Sequence, residues 1–198
     1  MKDPVKRLID ELSLLPGIGE RTALRLILHL LEQKRERIFS LAESLIEVAK
    51  HVKECSLCCN LTTNEQLCAI CEKPSRDSLL VCVVSSIQDL MAIESSASFK
   101  GVYHVLHGVL HPLNGVYVKD LRIQNLISRV KERGTPKEMI LATPATIEGE
   151  ATALYLKEIF AKDVKNLSRI ATGIPVGGDL QFADRLSLAR AMVMRQDF

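Results

Sequence analysis

Along residues 3–53 the apolar positions recur at intervals of three and four. Val5, Leu8, Ile9 and Leu12 form one set, and Ala23, Leu26, Ile27 and Leu30 a second. Ile38, Leu41, Ala42, Leu45, Ala49 and Val52 form a third. That spacing places each set on one face of a helix, so the region predicts a succession of amphipathic helices. From residue 78 the pattern changes. Apolar runs at 79–84, 101–106 and 138–142, and a weaker one at 167–171, read as strands. Helical periodicity fills the gaps at 86–96, 119–132 and 147–161, and a last helical stretch covers 183–195. Strands alternating with helices predict a parallel or mostly parallel sheet. Residues 54–77 follow neither period, and Pro74 and Ser75 mark their end. The chain therefore divides into a helical module over 1–53, a loop module over 54–77, an α/β domain over 78–175 and a C-terminal arm over 176–198. It shows no internal repeat and no low-complexity segment.

The loop module carries the strongest chemical signal. Cys55-Ser56-Leu57-Cys58 is followed, after nine residues, by Cys68-Ala69-Ile70-Cys71. Two C-x-x-C pairs bring four thiolates to where one ion can take them all, the ligand set of a structural tetrahedral zinc site. A closed set of this kind leaves no open coordination position, so the expected zinc, one per chain, holds shape and does not catalyse. The intervening loop is too short and polar to build its own core, and the metal would supply most of its folding energy. The bland alternatives are redox cysteines or incidental buried thiols. Cys59 falls outside the pattern, and Cys82, in the run Leu79 to Val84, reads as a small core residue.

Composition narrows the partners. The chain has 198 residues, with 26 Lys and Arg against 24 Asp and Glu, a formal net charge of +2. Residues 1–53 carry ten basic and eight acidic side chains, and residues 81–198 carry fourteen and twelve. No segment is strongly basic, so one copy cannot neutralise many phosphates. Three Tyr, five Phe and no Trp also argue against a stacking platform for single strands. No apolar run approaches a membrane span, and Met1 to Pro4 lacks an apolar signal core. With paired C-x-x-C motifs, these features predict a soluble cytoplasmic protein holding metal in place of disulfides.

Leu14-Leu15-Pro16-Gly17-Ile18-Gly19-Glu20-Arg21-Thr22-Ala23 lies between two of the predicted helices. Two glycines around one apolar residue let the backbone turn sharply and approach a ligand closely. The amides from Gly17 to Arg21 then lead into a helix N-terminus, which favours phosphate. Arg21 and Arg25 are four apart and share a face beside that end. This is the pattern of a helix-hairpin-helix, which grips the DNA backbone without reading bases. Gly17, Gly19, Arg21 and Arg25 are the candidate DNA contacts. The alternative is a tight turn in a purely structural or dimerising module, with solvated arginines.

Hairpin, four-cysteine loop and α/β domain in this order resemble the bacterial recombination mediator family RecR along nearly the whole chain. The matching stretches are Leu15 to Gly19, the four cysteines, Val81 to Val84, Gly101 to Leu106, Glu148-Gly149-Glu150-Ala151-Thr152-Ala153 and Gly173 to Leu180. The resemblance implies a Toprim domain without catalytic activity of its own. It also implies ring-like homotetramers that encircle DNA, bind it without sequence preference and act with RecO and RecF at single-strand gaps. There they help the RecA recombinase replace single-strand-binding protein. Four modest basic faces in one ring add where one does not suffice. The chain departs from the family's usual residues at Ser85 (usually Glu), Ile87 (Pro), Pro144-Ala145 (Asn-Pro), Gln181 (Glu), and His107 and His111 (small residues). These changes reduce the acidic surface that faces partners.

Catalytic Toprim domains hold a metal with a strand-end Glu and an Asp-x-Asp pair, because phosphoryl transfer needs clustered carboxylates for Mg2+. Here the first strand of the domain ends in Ser85-Ser86, and no Asp-x-Asp occurs in the sequence. Glu148 is a candidate contact for a partner protein, or alternatively a charge stabilising a helix N-terminus. His104 and His107, three apart on a predicted strand, face opposite sides, so His104, His107 and His111 do not predict a second metal site. Gly173 to Asp179 lacks the Lys-Ser/Thr of a phosphate loop and reads as a shaped connection to the arm. Arg185, Arg190 and Arg195 either line the ring or are ordinary solvated charges.

Overall fold

The computed structural model describes residues 3–174 and 176–195. Pro175, within the Gly173 to Asp179 stretch, lies outside them. The chain forms two compact units, Met1–Val52 and Lys53–Phe198.

The first unit is helical: α1 (Pro4–Ser13), α2 (Glu20–Glu32) and α3 (Arg35–His51). Asp3 caps α1, its carboxylate accepting from the Val5 amide at 2.9 Å, and Pro4 at the first helical turn has no amide to lose. Gln33, in extended conformation, ends α2. The burial does not follow the sequence pattern evenly. Ala23 and Ile27 are buried, as their periodicity predicts, whereas Leu24 and Leu26, which also read as core from the sequence, are exposed. No residue of α3 is, although its apolar set is as regular as the others.

The second unit opens with a short antiparallel pair, β1 (Lys53–Glu54) and β2 (Leu61–Thr62), and a single helical turn, α4 (Ala69–Glu72). The α/β body follows as β3 (Asp77–Val84), α5 (Ile87–Ser95), β4 (Gly101–Val105), α6 (Ile123–Arg133), β5 (Glu138–Ala142), α7 (Ile147–Phe160) and β6 (Leu167–Arg169). A C-terminal helix, α8 (Arg185–Val193), completes it. The sheet order is β4-β3-β5-β6, and every neighbouring pair in it is parallel.

The inner strands β3 and β5 are apolar on both faces because helices cover both. Val81 and Val83 face a core completed by Ile123, Leu126 and Val130 of α6 and Ala153, Leu156 and Phe160 of α7. Cys82 and Val84 point the other way, with Tyr103, Val105, Ala142 and Leu90 of α5. Cys82 is a core residue, as its setting in an apolar run predicts. The strand following Gly101 ends at Val105, so His107 is not on it. His107 sits past the strand end with a left-handed φ of 60°, and the alternation argument that separated it from His104 does not apply. Among the described residues no helix is long and apolar enough to cross a membrane.

Candidate functional site

The cysteine loop folds as the doubled spacing requires. The sulfurs of Cys55, Cys58, Cys68 and Cys71 all lie within 4.8 Å of one another. Cys58 Sγ and Cys68 Sγ are 3.6 Å apart, and the Cys68 amide donates to Cys55 Sγ at 3.3 Å. A tetrahedron of thiolates about 2.3 Å from zinc has edges of about 3.8 Å, so the donor set fits such an ion. Three of the four cysteines are buried, with Leu57, Leu67 and Ile70 packed around them. Thiols this close act strongly on one another. Hydrogen bonds from Cys58, Cys68 and Cys71 hold Cys55 far below the ordinary thiol range. The same crowding, led by Cys55, pushes Cys58 far above it. A bound cation removes that conflict by favouring the thiolate at every position.

The loop is seated on the open edge of the sheet. The Val105 amide of β4 donates to the Cys58 carbonyl at 2.8 Å, which covers an edge strand that would otherwise present free amides. Cys59, outside the ligand pattern, takes a left-handed φ of 60° and packs in the core with Cys82 and Tyr103. Burial raises its thiol to about 11. His107 Nε2 lies 2.6 Å from the Cys59 carbonyl, and Arg122 grips Glu54 through two hydrogen bonds of 2.9 and 2.8 Å. His104 is wholly buried, with Nε2 donating to the Arg122 carbonyl at 2.8 Å.

In the helical unit the glycine turn joins α1 and α2. Gly17 has φ +80°, a backbone conformation that disfavours any side chain with a Cβ. Gly19 is the N-cap of α2 and offers no side-chain oxygen, so the first amides of that helix have no cap. A Cβ at either glycine would meet no atom within 4 Å, so this backbone is open to approach. Arg21 and Arg25 are exposed, neither forms an ion pair among the described residues, and both line a shallow groove with Leu24, Leu28, His29 and Glu32. Glu20 in the first turn is the one charge that competes for the helix end.

The carboxyl ends of the strands hold few free acids. Ser85 is buried, and its hydroxyl donates to Asp89 Oδ2 at 2.5 Å. The Ser86 amide and hydroxyl reach the same oxygen at 2.9 and 2.8 Å, closing a capping box on α5. Asp89 Oδ2 is therefore engaged in holding a helix end. Glu148 lies in the first turn of α7, 3.8 Å from His111 Nε2. Its own backbone amide and the Thr146 hydroxyl, helped by His111, hold its carboxyl below the usual range. Glu150 turns to other partners, Arg169 at 3.4 Å and Arg190 at 3.7 Å. Among the described residues the four cysteines are the one convergent group of metal-ligating side chains.

Three family descriptions match the chain in order: RecR, helix-hairpin-helix over residues 5–49, Toprim domain over residues 80–171, and RecR, C-terminal over residues 173–196. The recombination protein RecR of Anaeromyxobacter dehalogenans is 46% identical over 195 residues, which is 98% of each chain. That of Deinococcus radiodurans is 48% identical over 189 residues, 96% of this chain and 84% of its own. The chain belongs to the RecR family. As a member of that family it combines the helix-hairpin-helix, the four-cysteine cluster and the Toprim sheet that its sequence order predicts.

Sequence reasoning missed the groups that bind the cysteine loop of this RecR chain to its sheet. Glu54 with Arg122 and Cys59 with His107 are pairs far apart in sequence, and no local period reveals them. Arg129 gave a usable signal: it lies on the apolar stripe of α6 with Leu126 and Val130, where an arginine is out of place.

Proposed function

We propose that the chain is a non-enzymatic mediator of recombinational DNA repair. In this reading it binds DNA without sequence preference, assembles into a ring-like tetramer and holds one structural zinc per chain. It works in the cytoplasm at single-strand gaps with RecO and RecF, and helps to load RecA. The observation that carries DNA binding is the uncapped N-terminus of α2 beyond Gly17 and Gly19, with Arg21 and Arg25 exposed on one face. Such an end offers several amides and two cations to a phosphate without touching a base edge. Asp89 is occupied by Ser85 and Ser86, which favours a Toprim domain that does not cleave. Glu148, ionised and partly exposed, is the proposed contact for a protein partner.

The test is binding to an end-blocked, gapped duplex over a series of salt concentrations. Wild type should bind with a steep salt dependence and without strand cleavage in Mg2+. The double variant Arg21→Glu/Arg25→Glu should bind at least tenfold more weakly, with a slope shallower by about 0.9 for each phosphate it no longer neutralises. Equal binding by both proteins would move the DNA-gripping surface away from the hairpin. Mg2+-dependent nicking by homogeneous protein would overturn the non-enzymatic reading.

A further inference from the structure

Arg129 is 7% exposed, on the buried side of α6. Its Nη1 donates to the Tyr103 carbonyl at 2.6 Å, which fixes the guanidinium against β4, the strand that carries the cysteine loop. No carboxylate among the described residues pairs with it within 4.0 Å. It lines a small cavity of about 110 Å³ together with Cys71 and Leu57 of the loop, closed by Val102, Leu126 and Pro136. An isolated buried cation is costly, and in proteins such charges are paired or neutralised. Burial works against the charge of Arg129, while Cys71, Cys58 and Cys55 favour it and Arg133 adds mild repulsion. Across the cavity the cluster presents Cys71 to this arginine, and Arg133 is the other charged side chain on the same lining.

A divalent ion on four thiolates leaves two net negative charges at the site. We propose that Arg129 is the charge partner of the metal-loaded four-cysteine cluster, a positioning residue that couples ion binding in the loop to the packing of the Toprim sheet. The inference rests on the metal reading given above. When the ion is present, the guanidinium offsets part of the excess charge across the cavity. When it is absent that fixed charge is gone, and the same guanidinium keeps only its hydrogen bond to the Tyr103 carbonyl, with no carboxylate among the described residues beside it. Arg129 therefore favours the loaded state and opposes the empty one, and a neutral residue there shifts both.

The experiment compares full-length wild type, Arg129→Gln and Arg129→Lys. Gln keeps a donor for the Tyr103 carbonyl without the charge, and Lys keeps the charge. Zinc content is measured by mass spectrometry, affinity by competition with a chromophoric chelator, and thermal stability with and without metal. Arg129→Gln should bind zinc roughly tenfold to a hundredfold more weakly, the range found when groups around a metal's ligands are removed. Its metal-free form should melt at or above the wild-type metal-free temperature, and Arg129→Lys should recover most of the affinity. Wild-type affinity in Arg129→Gln would overturn the proposal, as would equal destabilisation of the loaded and empty proteins by that substitution. Wild-type protein purified without zinc, and unable to bind it, would overturn the metal reading itself and this inference with it.

Discussion

Gly149 has no room for a side chain. A Cβ there would stand 2.0 Å from the Pro144 carbonyl oxygen and 2.9 Å from the carbonyl carbon, both rigid backbone. In most helices Gly→Ala stabilises, by about 0.5–1 kcal/mol. Here the sign reverses, and Gly149→Ala should destabilise by about 3 kcal/mol in urea titration, since the β5–α7 connection must shift. The glycine of the Glu148-Gly149-Glu150 run is thus explained by packing, while the run's carboxylates diverge to separate partners. His104 gives a second residue-level prediction. Burial lowers its pKa to about 4, below the unfolded value near 6.5, so the folded protein keeps it neutral. The unfolded chain then takes up a proton first as pH falls. Stability is complete above about pH 6.5 and declines toward pH 4, by at most about 3 kcal/mol from this group. Acid also protonates the thiolates, so the test is a difference. Between pH 7 and 4.5 wild type should lose more stability than His104→Gln, which retains the donor to the Arg122 carbonyl. Equal losses would mean that His104 does not titrate in this range. The sequence leaves His104 open between core and loop, and the structure puts it in the core. The unusual backbone of Cys59 and His107 was not legible, because left-handed φ at those residues is set by the docking of distant chain segments.

At the scale of elements, the doubled C-x-x-C spacing and the alternating strand pattern were sufficient to place the cysteine cluster and the parallel sheet. Neither says where the loop sits, because its attachment joins residues far apart in sequence. Val105 to Cys58 ties it to the edge of β4, Arg122 to Glu54 ties it to the start of α6, and Cys59 packs it into the core beside Cys82 of β3. The consequence is that metal loss is not confined to the loop. Cys58→Ser leaves three thiolates, which should hold zinc poorly, so metal content should fall from one per chain to well below half. Residues 54–75 should become open to protease. Hydrogen exchange in β4 should also rise severalfold as its free edge is uncovered, and a chelator should reproduce both effects in wild type. Retention of full zinc by Cys58→Ser would refute the ligand assignment. Unchanged exchange in β4 would show that the sheet edge holds without its cover.

For the whole molecule, the uncovered apolar stripe of α3 bears on assembly. Leu41, Leu45 and Val48 follow helical spacing, yet they are 45%, 64% and 58% exposed, and α2 buries only Ala23 and Ile27. A sequence pattern shows that a face is built to be covered; it does not show whether the cover comes from the same chain. The third apolar set thus predicts a helix face, of which Leu41 and Leu45 stay exposed while Ile38 and Val52 are partly buried. Leu41, Leu45 and Val48, about half exposed, each forgo about 1 kcal/mol of burial, and together they favour association between copies. Assembly also addresses the charge balance, since a net +2 per chain binds phosphates weakly alone and more strongly when several copies act on one duplex. The double variant Leu41→Glu/Leu45→Glu should therefore lower the mass measured by light scattering, toward monomer or dimer, without loss of helix content or zinc. Its affinity for gapped duplex should fall at least tenfold even though Arg21 and Arg25 are intact, because several hairpins no longer act together on one duplex. A variant that keeps the wild-type mass would place the assembly interface on other surfaces. One that falls apart yet binds DNA as before would show that a single hairpin suffices.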